Sequence, residues 1–448
     1  MLKKLTVRNF RAYRNETFEF SKINVFLGPN NSGKSSALSA INLLAQTAQN
    51  YRTLSTPLLL NGQFEQLGTF LDAAHGNTSR TVIGFEFDID DISVLFEVKY
   101  RQQRREMYIS KFVLWQQDKQ IYSFTERRDS FSIRYLGRPS EQFGPRAHRR
   151  PGFSGFWPQP RVFSIIGVYE QDDDDDRSER EFFRDFQRKM RLCERRVIET
   201  LSNLDSLSPF REQPQRTYIY TGDAPNHIGR TGANGVSMLV SDEGRRGSQR
   251  AGFIQEIDRW LQVTGIANGI RVKNLTPRHF EMCIIDHEGK EHNICDVGFG
   301  CSQVMPVLTA GLYALTTRSI SEVPIYVVQE PEIHLHPNAQ AALGSFFVGL
   351  ANQGMQIFIE THSDHLVLRL ARHVARHDIE ASDVSIYFVE VTKDQRVVTS
   401  LKFASDGTFE PDWPGGFFPQ RKTESLAIAR DRLQSNDSNP DQLNFQYL

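Results

Sequence analysis

Cysteine is scarce in this chain. Its four residues, Cys193, Cys283, Cys295 and Cys301, form no Cys-x-x-Cys pair among 448 positions. That spacing excludes a disulfide framework and supplies no cysteine half of a zinc site, so the thiols read as reduced and structural. An excess of charge is missing too: 53 Lys plus Arg stand against 54 Asp plus Glu. Whole-molecule electrostatics therefore names no polyanionic partner. No stretch approaches the roughly 18 uncharged apolar residues of a membrane span. The opening MLKKLTVRNF enters a strand-like pattern without a signal-peptide core. A cytoplasmic protein with no membrane partner is the expectation. Internal repeats and sustained heptads are also lacking, which removes solenoids and coiled-coil arms.

What is present is an ordinary soluble composition, 39% apolar and 24% charged. At roughly 150 residues per domain, the length suits three units or one large α/β domain carrying an insertion. The boundaries expected are 1–139, 140–262 and 263–448. Lys4 to Phe10 and Phe18 to Leu27 read as strands, and Ser35 to Thr47 as a helix. Alternation between Arg80 and Tyr135 predicts half-exposed antiparallel strands. From Ser140 to Arg161 the period is lost, and Asp172 to Asp176 forms an aspartate run whose self-repulsion favours a solvated linker. Arg177 to Leu204 carries a helical stripe of Phe182, Phe183, Phe186, Met190 and Val197, and Gly252 to Val263 reads as a second amphipathic helix. Val304 to Leu315 reads as a third, with buried strands at Pro324 to Val328 and Gln356 to Glu360.

Four motifs carry chemistry. Gly28-Pro29-Asn30-Asn31-Ser32-Gly33-Lys34-Ser35 fits GxxxxGKS between a strand and a helix. Glycines let N–H groups turn inward around phosphate oxygens, and the helix adds its positive end. Lys34 reaches the terminal phosphates, and the Ser35 hydroxyl suits magnesium. ATP is the ligand expected, with Gly28, Asn30 to Ser35 and Ser36 in contact; an ordinary glycine turn is the bland alternative. Second, the apolar strand ending Val328-Gln329-Glu330-Pro331-Glu332 is expected to bring its polar end beside that loop. Glu330 is the best candidate to polarise the attacking water, Glu332 being the other choice, and Gln329 and Glu330 join Ser35 as magnesium-side residues. His334 and His336 do not fill a four-ligand zinc shell, which favours structural or phosphate-side roles. Third, Gln356 to Glu360 runs into Thr361-His362-Ser363, where His362 is read as a γ-phosphate sensor or else a loop histidine. Fourth, Asp296 to Gln303 (DVGFGCSQ) precedes a helix and reads as a second anion site or a close strand-to-helix turn. Two phosphate devices and one nucleotide imply that a second subunit completes each site.

This order resembles the ABC-type ATPase heads of the SMC, RecF and OLD (overcoming lysogenization defect) group. The residues that carry the resemblance are LTVRNFRAY at the start, DVGFGCSQVMPVL, QEPEIHLHP, ETHSDHLVLRL, SPFREQPQRTYIY and the terminal WPGGFF. The stretches are similar to a prokaryotic OLD-like subgroup whose relatives serve as ATPase subunits in antiphage systems such as Septu and PARIS. The resemblance implies an α/β P-loop ATPase head with an antiparallel β layer and a helical insertion. It further implies a homodimer or higher oligomer sandwiching ATP and Mg2+, with Gly28 to Ser35 of one protomer facing Gly298, Gly300, Ser302 and Gln303 of the other. Arg11 and Gln63 are implied as further nucleotide contacts, and a separate nuclease as the effector.

Two departures qualify the pattern. Gln329 stands where an aspartate is usual, which predicts slow turnover because a neutral amide is a poor ligand for a hard cation. Gly300 stands where the signature serine is usual. About eighty residues follow Ser363, too few for the Toprim nuclease of OLD enzymes, so nuclease activity within this chain is not expected. The function expected is ATPase control of an effector in antiphage defence. The rivals are a repair ATPase acting on DNA through the arginine-rich stretch 138–161, and a nucleotide-gated scaffold with little hydrolysis.

Overall fold

The computed structural model describes residues 1–128, 130–143, 151–159, 176–219, 222, 225–245, 251–316, 323–392, 395–413 and 426–428. Most of the aspartate run, parts of the 138–161 stretch and Pro414 to Phe418 lie outside them.

Two sheets organise the chain. The first has eight strands that run antiparallel between Leu2 and Phe143. Its alternating apolar residues, among them Phe85, Phe87, Phe96 and Phe112, form one face of a core. The second has seven strands in the spatial order 204–207, 325–329, 356–360, 23–27, 384–392, 395–403 and 409–410. Its first five are parallel. Strand Ile23–Leu27 is buried at every position, as a parallel strand covered on both faces must be.

Period-2 alternation divides the parallel sheet between two cores. Phe26, Val327, Phe358 and Tyr387 face the helix Lys34–Gln49 and the antiparallel sheet. Val25, Leu27, Val328 and Ile359 face the helices Phe299–Thr316, Pro337–Asn352 and Asp364–Ala375. The helix Asp176–Ser202 buries Phe183, Phe186, Met190 and Val197 in the first core. Among the described residues no helix is long and apolar enough to cross a membrane.

One sequence expectation needs correction. Phe18 to Leu27 is not one strand. One strand ends at Glu19 in the antiparallel sheet, and another begins at Ile23 in the parallel sheet. From within the second strand Asn24 accepts from Ser21 N and donates to Ser21 O, closing the turn between the two. The strand Ile325–Gln329 brings its polar end toward the phosphate loop without flanking the phosphate-loop strand. Gln356–Glu360 lies between them and pairs with both.

Candidate nucleotide site

The phosphate loop leaves the strand at Leu27 and enters the helix at Lys34. Gly28 has φ 139° and Gly33 φ 115°, left-handed backbone that glycine adopts without a Cβ clash. A Cβ on Gly28 would stand 1.9 Å from the Val389 carbonyl oxygen. Tyr13 anchors the loop from the other sheet, its hydroxyl donating to Gly33 O at 2.9 Å. Asn30, Asn31 and Ser35 are exposed, whereas Ser32 and Ser36 are buried. Ser32 Oγ has no hydrogen-bond partner among the described residues, an open valence that a phosphate oxygen would satisfy.

Lys34 bends back into the loop. Its ammonium donates to Gly28 O at 2.9 Å and Pro29 O at 2.8 Å. Burial lowers its pKa, and Glu360, Glu330 and Glu332 oppose that shift. Ser35 Oγ donates to Glu360 Oε1 at 2.8 Å. Gln329 Nε2 reaches the other oxygen of Glu360 at 3.3 Å. Burial raises the Glu360 pKa, with Ser35 and Lys34 pulling it down.

Glu330 sits one residue beyond its strand with φ 46°. Its N–H donates to Glu360 O at 2.7 Å. Arg211 fixes the turn, one guanidinium nitrogen donating to the carbonyls of Gln329 and Glu330 at 2.9 Å each. Arg211 is buried, and its Nε and Nη1 have no hydrogen-bond partner among the described residues. Glu330 Oε1 lies 3.9 Å from His362 Nε2. Burial, then Lys34, lowers the His362 pKa, with Glu330 opposing. Glu332 is buried and accepts from His362 N at 2.6 Å. Of the two glutamates left open by the sequence, Glu330 is therefore the accessible one, and Glu332 braces the histidine backbone. His336 caps the helix Pro337–Asn352. Among the described residues no three His, Cys, Asp or Glu side chains form a metal cluster.

The glycine-rich stretch enters its helix earlier than the sequence suggests. The helix begins at Phe299, so Gly300 to Gln303 form its first turns. A Cβ on Gly300 would stand 2.7 Å from His334 O, so this glycine permits close packing against the 332–335 turn. Ser302 is buried and donates to Phe299 O at 2.9 Å, and Gln303 is buried as well. Gly298 and Phe299, the latter 59% exposed, are the outward-facing part. Arg11 lies along the loop helix, donating to Ser39 Oγ at 3.0 Å. Gln63 donates to Gln49, roughly 22 Å along the helix axis from Lys34. The structure therefore brings together Gly28 to Ser36, Gln329, Glu330 and His362 but not Gln63. Glu360 and Arg211 belong to this site and were not singled out from sequence. The signal for Glu360 was a charge ending an otherwise apolar strand; Arg211 left none beyond its place in the SPFREQ stretch.

Residues 23–368 match the family model AAA_21, described as "AAA domain, putative AbiEii toxin, Type IV TA system". No curated protein matches the chain. Among solved structures, the SMC head domain from Thermotoga maritima aligns at 10% identity and a TM-score of 0.35, covering 89% of this chain and 98% of that one. The Smc head domain from Pyrococcus furiosus, bound to the C-terminal domain of ScpA, aligns at 10% identity and 0.39. It covers 96% of this chain and 99% of that chain.

Proposed function

Because the chain belongs to the AAA_21 family, we propose that it binds ATP with magnesium at the Gly28 to Ser35 loop and hydrolyses it slowly. A second copy pairs with it around the nucleotide, and the nucleotide state governs a separate effector, a nuclease, in prokaryotic antiphage defence. One observation carries the reading: Lys34 and Ser35 converge with the strand ends that present Glu330 and His362. Lys34, released from its two carbonyls, would offer its charge to the terminal phosphates. Ser35 would help to hold magnesium, which, when bound, neutralises phosphate charge and orients the leaving group. Glu330 holds the attacking water, and His362 contacts the transferred phosphoryl group from the same edge. Exposed Gly298 and Phe299 supply a surface for the second copy.

Phosphate release from wild type, Glu330→Gln and a mixture with the product of the neighbouring open reading frame tests this reading. Turnover that is lost in Glu330→Gln and altered by that partner supports it; turnover indifferent to both refutes it. A repair ATPase acting directly on DNA is favoured by one surface, a concave patch lined by Arg80, Lys99, Arg101 and Arg104. Arg101 is already bonded to Glu106 and Glu126, which reduces its pull on phosphate. DNA-stimulated turnover that disappears on charge reversal at Lys99 and Arg104 favours that alternative. The scaffold alternative rests on Gln329 and requires wild type to be as inert as Glu330→Gln while both still assemble with ATP.

A further inference from the structure

Gln329 and Glu360 are direct partners across the parallel strand pair, and their side chains meet at 3.3 Å. The two positions are not equivalent. The strand of Gln329 lies one place away from the phosphate-loop strand, whereas Glu360 is paired with Phe26 of that strand. The carboxylate is therefore the nearer of the two to the loop. Glu360 is 4% exposed, and its charge is compensated by the Ser35 hydroxyl at 2.8 Å, the Gln329 amide and the Lys34 ammonium at 4.0 Å. A carboxylate held at such depth is costly without a cationic or hydrogen-bonding role.

We propose that Glu360 is the magnesium-side carboxylate of this protein, acting with Ser35, and that Gln329 positions it. This rests on the reading that ATP occupies the glycine loop. Magnesium prefers charged oxygen, takes bonds of 2.0–2.1 Å in an octahedron, and commonly uses only one or two carboxylates besides phosphates and water. Adjacent ligand oxygens are then about 2.9 Å apart, close to the 2.8 Å between Ser35 Oγ and Glu360 Oε1. The same separation serves a Ser35 hydroxyl that ligates the ion while donating its proton to Glu360. Gln329 follows from this arrangement. An aspartate there would set a second carboxylate against Glu360, and two such groups resist joint ionisation; an amide donates to Glu360 instead.

The test is ATP affinity of the full chain, by calorimetry, in excess magnesium and in EDTA. Manganese binding, followed by electron paramagnetic resonance in the presence of ATP, is a second readout that needs no turnover. Magnesium is expected to tighten ATP binding to wild type, and Glu360→Gln to remove about tenfold or more of that gain. Gln329→Asp alone should also reduce the gain, through the opposed carboxylates. The exchanged variant Gln329→Asp/Glu360→Gln, which keeps one carboxylate and one amide in the cluster, should recover a substantial part of it. That recovery against two damaging single changes separates an ion-binding role from a merely structural one. If Glu360→Gln keeps the full gain, or the exchanged variant melts like wild type yet recovers nothing, the assignment is overturned. Should Glu360→Gln fail to fold, the exchanged variant decides alone. Wild type that binds ATP in neither condition instead removes the nucleotide reading itself.

Discussion

The carboxylate of Glu330 faces the imidazole of His362 at 3.9 Å, although the two residues belong to the ends of different strands. The register of the parallel pair, Gln329 opposite Glu360, brings those two strand ends side by side. A carboxylate and an imidazole thus meet in the neighbourhood of Lys34. Replacing Glu330 by Gln is expected to reduce ATP turnover by about 100-fold or more, in the range that a positioned acid or base contributes. ATP binding should persist, and ATP-dependent self-association should lengthen. Phosphate-release kinetics paired with light scattering checks both; equal turnover in the two proteins contradicts the role of Glu330.

Arg211 offers a separate test because it touches the turn rather than the phosphate loop. Its guanidinium satisfies the Gln329 and Glu330 carbonyls, and a methionine in its place would leave them without that donor. The expected cost is about 1–3 kcal/mol of stability. Turnover should fall more than ATP affinity, since Glu330 would no longer be held at its left-handed φ. Thermal melts and calorimetry on Arg211→Met distinguish this from loss of nucleotide binding, which would contradict it.

How much of this was legible in the sequence depends on distance along the chain. The glycine loop and the 325–332 and 356–363 stretches were readable because each is a local pattern, an apolar strand followed by polar residues. The contact of Ser35 with Glu360 spans 325 positions and exists only because Gln356–Glu360 enters the sheet between its two neighbours. No local period encodes that order. Arg211 is 118 positions from Gln329, and its burial defies the usual exposure of arginine. The sequence pattern places Ser302 and Gln303 just ahead of a helix beginning at Val304. The helix instead starts at Phe299, with Gly300 packed closely against His334 O and both side chains buried.

Away from the nucleotide, Asp205 supplies a pH-dependent prediction. It is buried in the outermost parallel strand and accepts from Ile228 N at 2.8 Å and Ser206 N at 3.0 Å. Burial pushes its carboxyl up to about 7, the two N–H groups opposing. His227, 3.9 Å away, has its own pKa lowered by burial and offers little charge at neutral pH. A carboxyl whose folded pKa exceeds its unfolded value contributes stability below the unfolded pKa and loses it as pH rises through the folded one. Wild type should therefore lose ground to Asp205→Asn between about pH 4 and above 7, by at most roughly 4 kcal/mol. The difference in melting temperature between the two proteins, followed across that range, should climb with pH; a flat difference contradicts the shift.

Calorimetric titration of wild type and Lys34→Ala with ATP and magnesium decides whether the Gly28 to Ser35 loop grasps the phosphate tail of ATP. Saturable binding to wild type, weakened in Lys34→Ala by about 100-fold, as loss of a charged hydrogen-bonding group predicts, is the expected result. Equal affinity in the two proteins, or no heat in either, contradicts the account.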